Sequence, residues 1–217
     1  MKAAIFDLFG TLVPYVGRAE FAESLALTAT ALDLPPERLI ADWCNRQRFL
    51  AWMTNPDSSE ERIRKYVDRC SLKMTAQQVL HAADTLRDAH RQWLRPLPSS
   101  LATLRELVSR GYRLGLMSVC SKEVREVWGE TDFADCFDEV VLSCEQGATK
   151  NTPKLYRHAL CKLDVPAENV FYIGDTQEEL GMARQSGMKP IWMRARHTFQ
   201  WDGWTVLSPL QVLDYLQ

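Results

Sequence analysis

The stretch Ile5-Phe6-Asp7-Leu8-Phe9-Gly10-Thr11-Leu12 sets one acidic residue near the end of a short apolar run and follows it with Gly-Thr. Lys2 to Leu8 is short, apolar and bounded by a turn signal, which reads as a buried β-strand. Three later segments repeat the theme: Gly115-Leu116-Met117-Ser118, Gly147-Ala148-Thr149-Lys150 and Phe171-Tyr172-Ile173-Gly174-Asp175. In each, a polar residue stands at or just past the end of an apolar run. Open α/β sheets gather ligands outside the carboxyl ends of their strands. Four such ends in one chain predict one site built around Asp7, Ser118, Lys150 and Asp175.

Working outward, the chain divides in two. Residues 14 to about 96 carry apolar residues at helical spacing: Phe21, Leu25, Leu27 and Leu32, then Leu39, Trp43, Phe49, Leu50 and Trp52, then Ile63, Tyr66 and Val67, then Val79, Leu86 and Trp93. These predict four helices, with breaks at Pro35-Pro36, Asn55-Pro56-Asp57-Ser58 and Met74-Thr75. From Leu97 onward strands and helices alternate. Strands are expected at Tyr112 to Ser118, Glu139 to Leu142, Val170 to Ile173, Pro190 to Met193 and Thr205 to Leu207. Helices are expected over Leu101 to Leu107, Lys122 to Gly129, Thr152 to Lys162, Glu178 to Ser186 and Pro209 to Leu216. Such alternation predicts an α/β fold with a doubly wound parallel sheet. A core of residues 1–13 and 97–217 is then interrupted, after its first strand, by a helical unit of residues 14–96. Trp201 and Trp204 flank Asp202-Gly203, which reads as a hairpin or turn.

Composition narrows the function. With 217 residues, 46% apolar and 25% charged, the chain has the profile of a globular protein with a substantial core. A net charge of −2 gives no global attraction to nucleic acid or to an anionic membrane surface. No apolar run approaches the ~18 residues of a membrane span. An aspartate as early as position 7 argues against a secretory leader. The six cysteines show no metal-clip spacing, so reduced thiols and a cytoplasmic location are expected.

Together the four segments resemble the haloacid dehalogenase superfamily of hydrolases, with a helical cap inserted after the first strand of a Rossmann-like core. The resemblance implies that Asp7 is a nucleophile that forms a covalent ester later cleaved by water. It implies that the Thr11 and Ser118 hydroxyls contact the phosphoryl oxygens, and that Lys150, in a stretch similar to the family's Lys-Pro-x-x-x-x-Tyr, neutralises nucleophile and substrate together. It implies a Mg²⁺ site from Asp7, Asp175 and the Phe9 backbone carbonyl, with Glu178 or Glu179 acting directly or through water. The substrate implied is small and anionic.

Val119 stands where the family often has a polar residue, and Asn151 replaces its first proline; the chief departure from the pattern is Phe9. Most phosphatases of the superfamily carry a second aspartate there, which protonates the leaving oxygen and then activates water. Such proton transfer contributes about 10²–10⁴-fold. Three readings stay open: a Mg²⁺-dependent phosphoryl-transfer enzyme favouring good leaving groups, a metal-independent 2-haloacid dehalogenase, or a binding protein that kept the fold. The dehalogenase reading wants an arginine early in the cap, with Arg46 or Arg48 as candidates. A phosphonate hydrolase would want a cap lysine, either Lys65 or Lys73. His81, His90, His158 and His197 are expected in surface or structural positions. Trp43, Trp52 and Trp93 are expected in the core of the helical unit.

Overall fold

The computed structural model describes residues 1–194 and 198–217; His197 lies outside the described residues. Strand β1 (Lys2–Phe6) is followed by five helices: α1 (Arg18–Ala31), α2 (Pro36–Trp43), α3 (Arg46–Met53), α4 (Ser59–Arg69) and α5 (Ala76–Trp93). Then come α6 (Ser100–Ser109), β2 (Tyr112–Ser118), α7 (Lys122–Val127), β3 (Glu139–Leu142), α8 (Ser143–Gln146), α9 (Pro153–Leu163), β4 (Val170–Gly174), α10 (Gln177–Gln185), β5 (Lys189–Met193) and β6 (Trp204–Val206). A short 3₁₀ segment, Pro209–Asp214, ends the chain.

The six strands form one parallel sheet in the order β3-β2-β1-β4-β5-β6. β1 lies at the centre, in register with β2 from Lys2↔Tyr112 and with β4 from Ala3↔Val170. Its residues alternate between faces, as the pleat requires. Ala4 and Phe6 join an apolar layer with Leu104 and Leu107 of α6 and Val124 and Val127 of α7. Ala3 and Ile5 join another with Leu155 and Leu163 of α9 and Leu180 of α10. Helices on both faces explain why these strands read as continuous apolar runs. The doubly wound parallel sheet expected from the sequence is the architecture observed.

Helices α1–α5 close around an apolar interior of their own, which includes Leu25, Leu39, Trp43, Trp52, Ile63 and Leu86. Four helices were expected here and five are present. The chain breaks at Cys44-Asn45, where the Asn45 side chain accepts from the Gln47 N–H and caps α3. Trp43 and Trp52 belong to this interior as expected. The Asp202-Gly203 turn does not make a hairpin: Trp204 opens β6, which pairs parallel to β5, and its ring stacks between Phe171 and Tyr215.

A charged seam joins the helical unit to the sheet. Arg62 of α4 grips the buried Glu123 of α7 at 2.7 and 3.0 Å. Glu126 of α7 accepts from the backbone N–H and the hydroxyl of Ser59 at the start of α4. The buried His90 of α5 lies 3.2 Å from Ser121 Oγ, while its Nδ1 meets the Leu86 carbonyl. One nitrogen bonded to a carbonyl must carry the proton, so the neutral ring accepts from Ser121 through Nε2.

Candidate active site

Asp7 leaves the end of β1 with its N–H bonded to the Ile173 carbonyl at 2.8 Å, which ties it to β4. Gly10 then turns the chain at φ +83°, and a Cβ there would stand 2.5 Å from Asp175 Oδ2. Only glycine both adopts that backbone and leaves that space. Lys150, just ahead of α9, is buried and donates to Asp7 Oδ1 and, at 2.7 Å, to Glu179 Oε2. Asp175 follows β4, and its N–H donates to Glu179 Oε1 at 2.6 Å. Asp7, Lys150 and Asp175 therefore meet where β1 and β4 end.

Glu179 is the hub of this cluster. Its Oε1 accepts from the N–H groups of Asp175 and Thr176, and its Oε2 from Lys150 and Tyr172. Thr176 and Glu179 form the capping box of α10. Glu178, adjacent in sequence, is exposed and lies outside the cluster. Of the two glutamates expected as alternatives, helix geometry turns Glu179 inward. Tyr172 and Tyr156, whose hydroxyl donates to the Glu179 carbonyl at 3.1 Å, are participants the site expectations left out.

Carboxylate oxygens of Asp7, Asp175 and Glu179 lie within 4.8 Å of one another. Glu179 is saturated with donors, whereas Asp175 Oδ2 is buried with no hydrogen-bond partner among the described residues. The Ser118 and Thr11 hydroxyls are buried and unpartnered in the same way. Buried polar atoms are nearly always satisfied. The bare Asp175 oxygen within the acidic cluster describes a place prepared for a ligand. Hard oxygen donors with one bare carboxylate oxygen fit a divalent cation such as Mg²⁺.

The electrostatics follow from burial. Burial pushes the Asp7 carboxyl up, Lys150 opposes this and Glu179 adds to it, leaving Asp7 at about 6. Burial, then the Asp7 and Glu179 charges, raise Asp175 to about 8. Burial works against the Lys150 ammonium, but the Asp7 and Glu179 carboxylates outweigh it and hold Lys150 above its ordinary value. Glu179 is also opposed by burial, yet Lys150 and its other donors hold it below the usual range.

Beside the cluster, between the helical unit and the sheet, lies a cavity of about 440 Å³. Phe9 and Val119, which follow Asp7 and Ser118 closely in sequence, form part of its wall. Phe21, Phe49, Met53 and Trp93 supply an apolar wall from the helical unit. Arg18 and Arg46 line it as well, both largely exposed and neither ion-paired among the described residues. Arg48 instead pairs with Asp42, Lys65 is held by Asp57 at 2.5 Å, and Lys73 is exposed; none of these three lines the cavity. His81 is exposed, His158 half-buried on α9, and the buried His90 borders the cavity.

Residues 1–187 match the sequence profile of the haloacid dehalogenase-like hydrolases. The chain belongs to this family. It is therefore a hydrolase of the haloacid dehalogenase-like type, with the Rossmann-like sheet described above. Over 203 residues it is 28% identical to the glyceraldehyde 3-phosphate phosphatase of Methanopyrus kandleri, a match covering 89% of this chain and 84% of that one. It is 33% identical over 98 residues to the phosphoserine phosphatase of Thermus thermophilus, covering 44% of this chain and 39% of that protein. In three dimensions it resembles a haloacid dehalogenase-like phosphatase from Thermococcus onnurineus, at TM-score 0.66 and 19% identity over 100% of this chain and 98% of that one. The L-2-haloacid dehalogenase RSc1362 is similar at TM-score 0.64 and 19% identity, with the same coverages. Likeness at this identity speaks to the fold, which phosphatases and dehalogenases share.

Proposed function

We propose that this haloacid dehalogenase-like hydrolase is a Mg²⁺-dependent phosphomonoesterase acting on a small phosphorylated molecule through Asp7. The observation that carries this reading is the bare, buried Asp175 Oδ2 beside Asp7 and the Lys150–Glu179 pair. A second carboxylate held against the nucleophile raises the cost of ionising both. Displacing a halide gives no use for that, whereas a divalent cation makes both carboxylates favourable. The phosphatase names of the relatives agree with it.

In this reading Asp7 and Asp175, with the Phe9 carbonyl, hold Mg²⁺, which when bound supplies charge to offset the phosphoryl oxygens and keep both carboxylates ionised. Asp7 attacks phosphorus, the ester P–O bond breaks, and the leaving oxygen departs with the bonding pair. Lys150 neutralises Asp7 and the transferred group, and Glu179 fixes Lys150 in place. The Ser118 and Thr11 hydroxyls donate to the phosphoryl oxygens, which satisfies both orphans. Water then attacks phosphorus of the aspartyl ester, releasing phosphate and restoring Asp7. Residues 14–96 act as a cap that covers the core of residues 1–13 and 97–217 and excludes bulk water.

p-Nitrophenyl phosphate tests this, since its leaving group needs little proton assistance. Turnover should require Mg²⁺, stop with EDTA and vanish in Asp7→Asn. A second reading, 2-haloacid dehalogenation by Asp7, is favoured by Arg46 and Arg18 standing on the same cavity wall as Phe9. It requires halide release from 2-chloropropionate, undiminished by EDTA.

A further inference from the structure

We infer that the substrate is a phosphate monoester of a phenolic alcohol that carries a carboxylate, its ring seated in the cavity beside Phe9 and its carboxylate met by Arg18 and Arg46. This rests on the phosphomonoesterase reading and goes further by naming the leaving group. Two independent features of the molecule converge on it.

The first is chemical. Residue 9 has no proton to give, and no acidic side chain lines the cavity among the described residues. An alkoxide is nearly as basic as hydroxide. It leaves slowly without a proton. A phenol ionises near 10, like tyrosine, so a phenolate departs with the bonding pair and takes its proton from water afterwards.

The second is shape and charge. A cavity of about 440 Å³ is in the range of small-molecule sites. Its wall of Phe9, Phe21, Phe49, Met53 and Trp93 accepts an aromatic ring by offset or edge contact. A polyhydroxylated chain placed there would leave hydroxyls buried without partners, at about 1–3 kcal/mol each. Of the cavity's polar side chains, His90 and Ser121 are bonded to each other, and Tyr15, Arg18 and Arg46 stand at its exposed edge. Neither arginine has a partner carboxylate among the described residues, and a guanidinium fork matches a carboxylate. Both stand exposed at the rim, so the ring enters first and the carboxylate stays at the mouth.

The test compares kcat/KM, with Mg²⁺ present, for 4-carboxyphenyl phosphate, its methyl ester and glycerol phosphate. The methyl ester is the essential control, because it has the better leaving group and lacks the charge. The carboxylate should exceed the ester by about 10-fold, the worth of one charge-assisted contact of about 1.4 kcal/mol. It should exceed glycerol phosphate by about 100-fold or more. In Arg46→Ala and Arg18→Ala, both at exposed positions, the carboxylate-to-ester ratio should fall toward one. Equal turnover of glycerol phosphate, or an ester hydrolysed as well as the acid, overturns the inference and leaves the phosphomonoesterase reading standing. Failure to release phosphate from any of the three, or from p-nitrophenyl phosphate, overturns both.

Discussion

At the scale of single residues the account turns on positions 7, 9 and 10. Asp7→Asn keeps the shape and removes the carboxylate proposed to attack phosphorus, so phosphate release should fall to background while the fold, read by circular dichroism, persists. Phe9→Asp adds the missing acid. It should raise turnover of alkyl phosphates by about 10²-fold or more, measured as phosphate release from glycerol phosphate; no gain would remove the role assigned to Phe9. Gly10→Ala forces an L residue to φ +83°, at about 1–2 kcal/mol, and drives its Cβ into Asp175. A lowered melting temperature together with weakened Mg²⁺ binding is expected, and an unchanged Mg²⁺ affinity would contradict the close approach. The meeting of Asp7, Lys150 and Asp175 was legible in the sequence, the two aspartates because each sits where an apolar run stops and Lys150 because its stretch resembles the family's. Choosing between Glu178 and Glu179 was possible too: Thr176-Gln177-Glu178-Glu179 is a capping-box pattern whose fourth residue turns back to the helix start. Tyr172 was less legible, since a tyrosine inside a buried strand gives no sign that its hydroxyl meets Glu179.

At the scale of elements, the seam between α4, α5 and α7 holds the helical unit against the sheet. Glu123 is fully buried; burial opposes its charge, but the Arg62 guanidinium outweighs this and holds the carboxyl below the usual range. Glu123→Ala leaves the Arg62 guanidinium without its carboxylate. It should cost about 3 kcal/mol in urea unfolding; a loss under 1 kcal/mol would mean the seam carries little. Burial depresses His90 below 6.5, only partly offset by Glu123. Between its folded and unfolded values the unfolded chain holds a proton that the folded chain lacks. Stability is thus present above pH 6.5 and lost as pH falls through the folded value. His90→Gln, scanned by thermal melting, should flatten that acid-side loss; an unchanged slope would place its origin elsewhere. None of this was readable beforehand. Helical spacing locates an apolar face, but Arg62 and Glu123 are 61 residues apart and His90 and Ser121 are 31 apart. Only the docking of two units brings them together. The split between α2 and α3 was missed for a local reason, since Leu39, Trp43 and Leu50 keep helical spacing across the Asn45 cap.

At the scale of the molecule, a central sheet and a helical unit meet along a charged seam, with an apolar cavity between them and the acidic cluster where β1 and β4 end. The parallel sheet was legible from strand–helix alternation, whereas the cavity was not, because its walls come from α1, α3, α5 and two strand-end loops at once. In the metal-free protein the raised carboxyls oppose folding once ionised. Their contribution is fully present below 3.8 and is lost as pH rises through about 6 for Asp7 and about 8 for Asp175. A cation binds only the ionised forms. The rise in melting temperature on adding Mg²⁺ should therefore be small below pH 6 and largest above pH 8, each tenfold excess over Kd adding about 1.4 kcal/mol. A shift independent of pH would place the cation elsewhere. Covalent phosphoryl transfer through Asp7 is read from the mass of the Asp7 peptide after rapid quenching during p-nitrophenyl phosphate turnover with Mg²⁺. Because Phe9 cannot activate the second water, the account predicts a phosphoryl group on Asp7 in a large fraction of molecules, absent with EDTA and absent in Asp7→Asn. Steady turnover with Asp7 unmodified would contradict it.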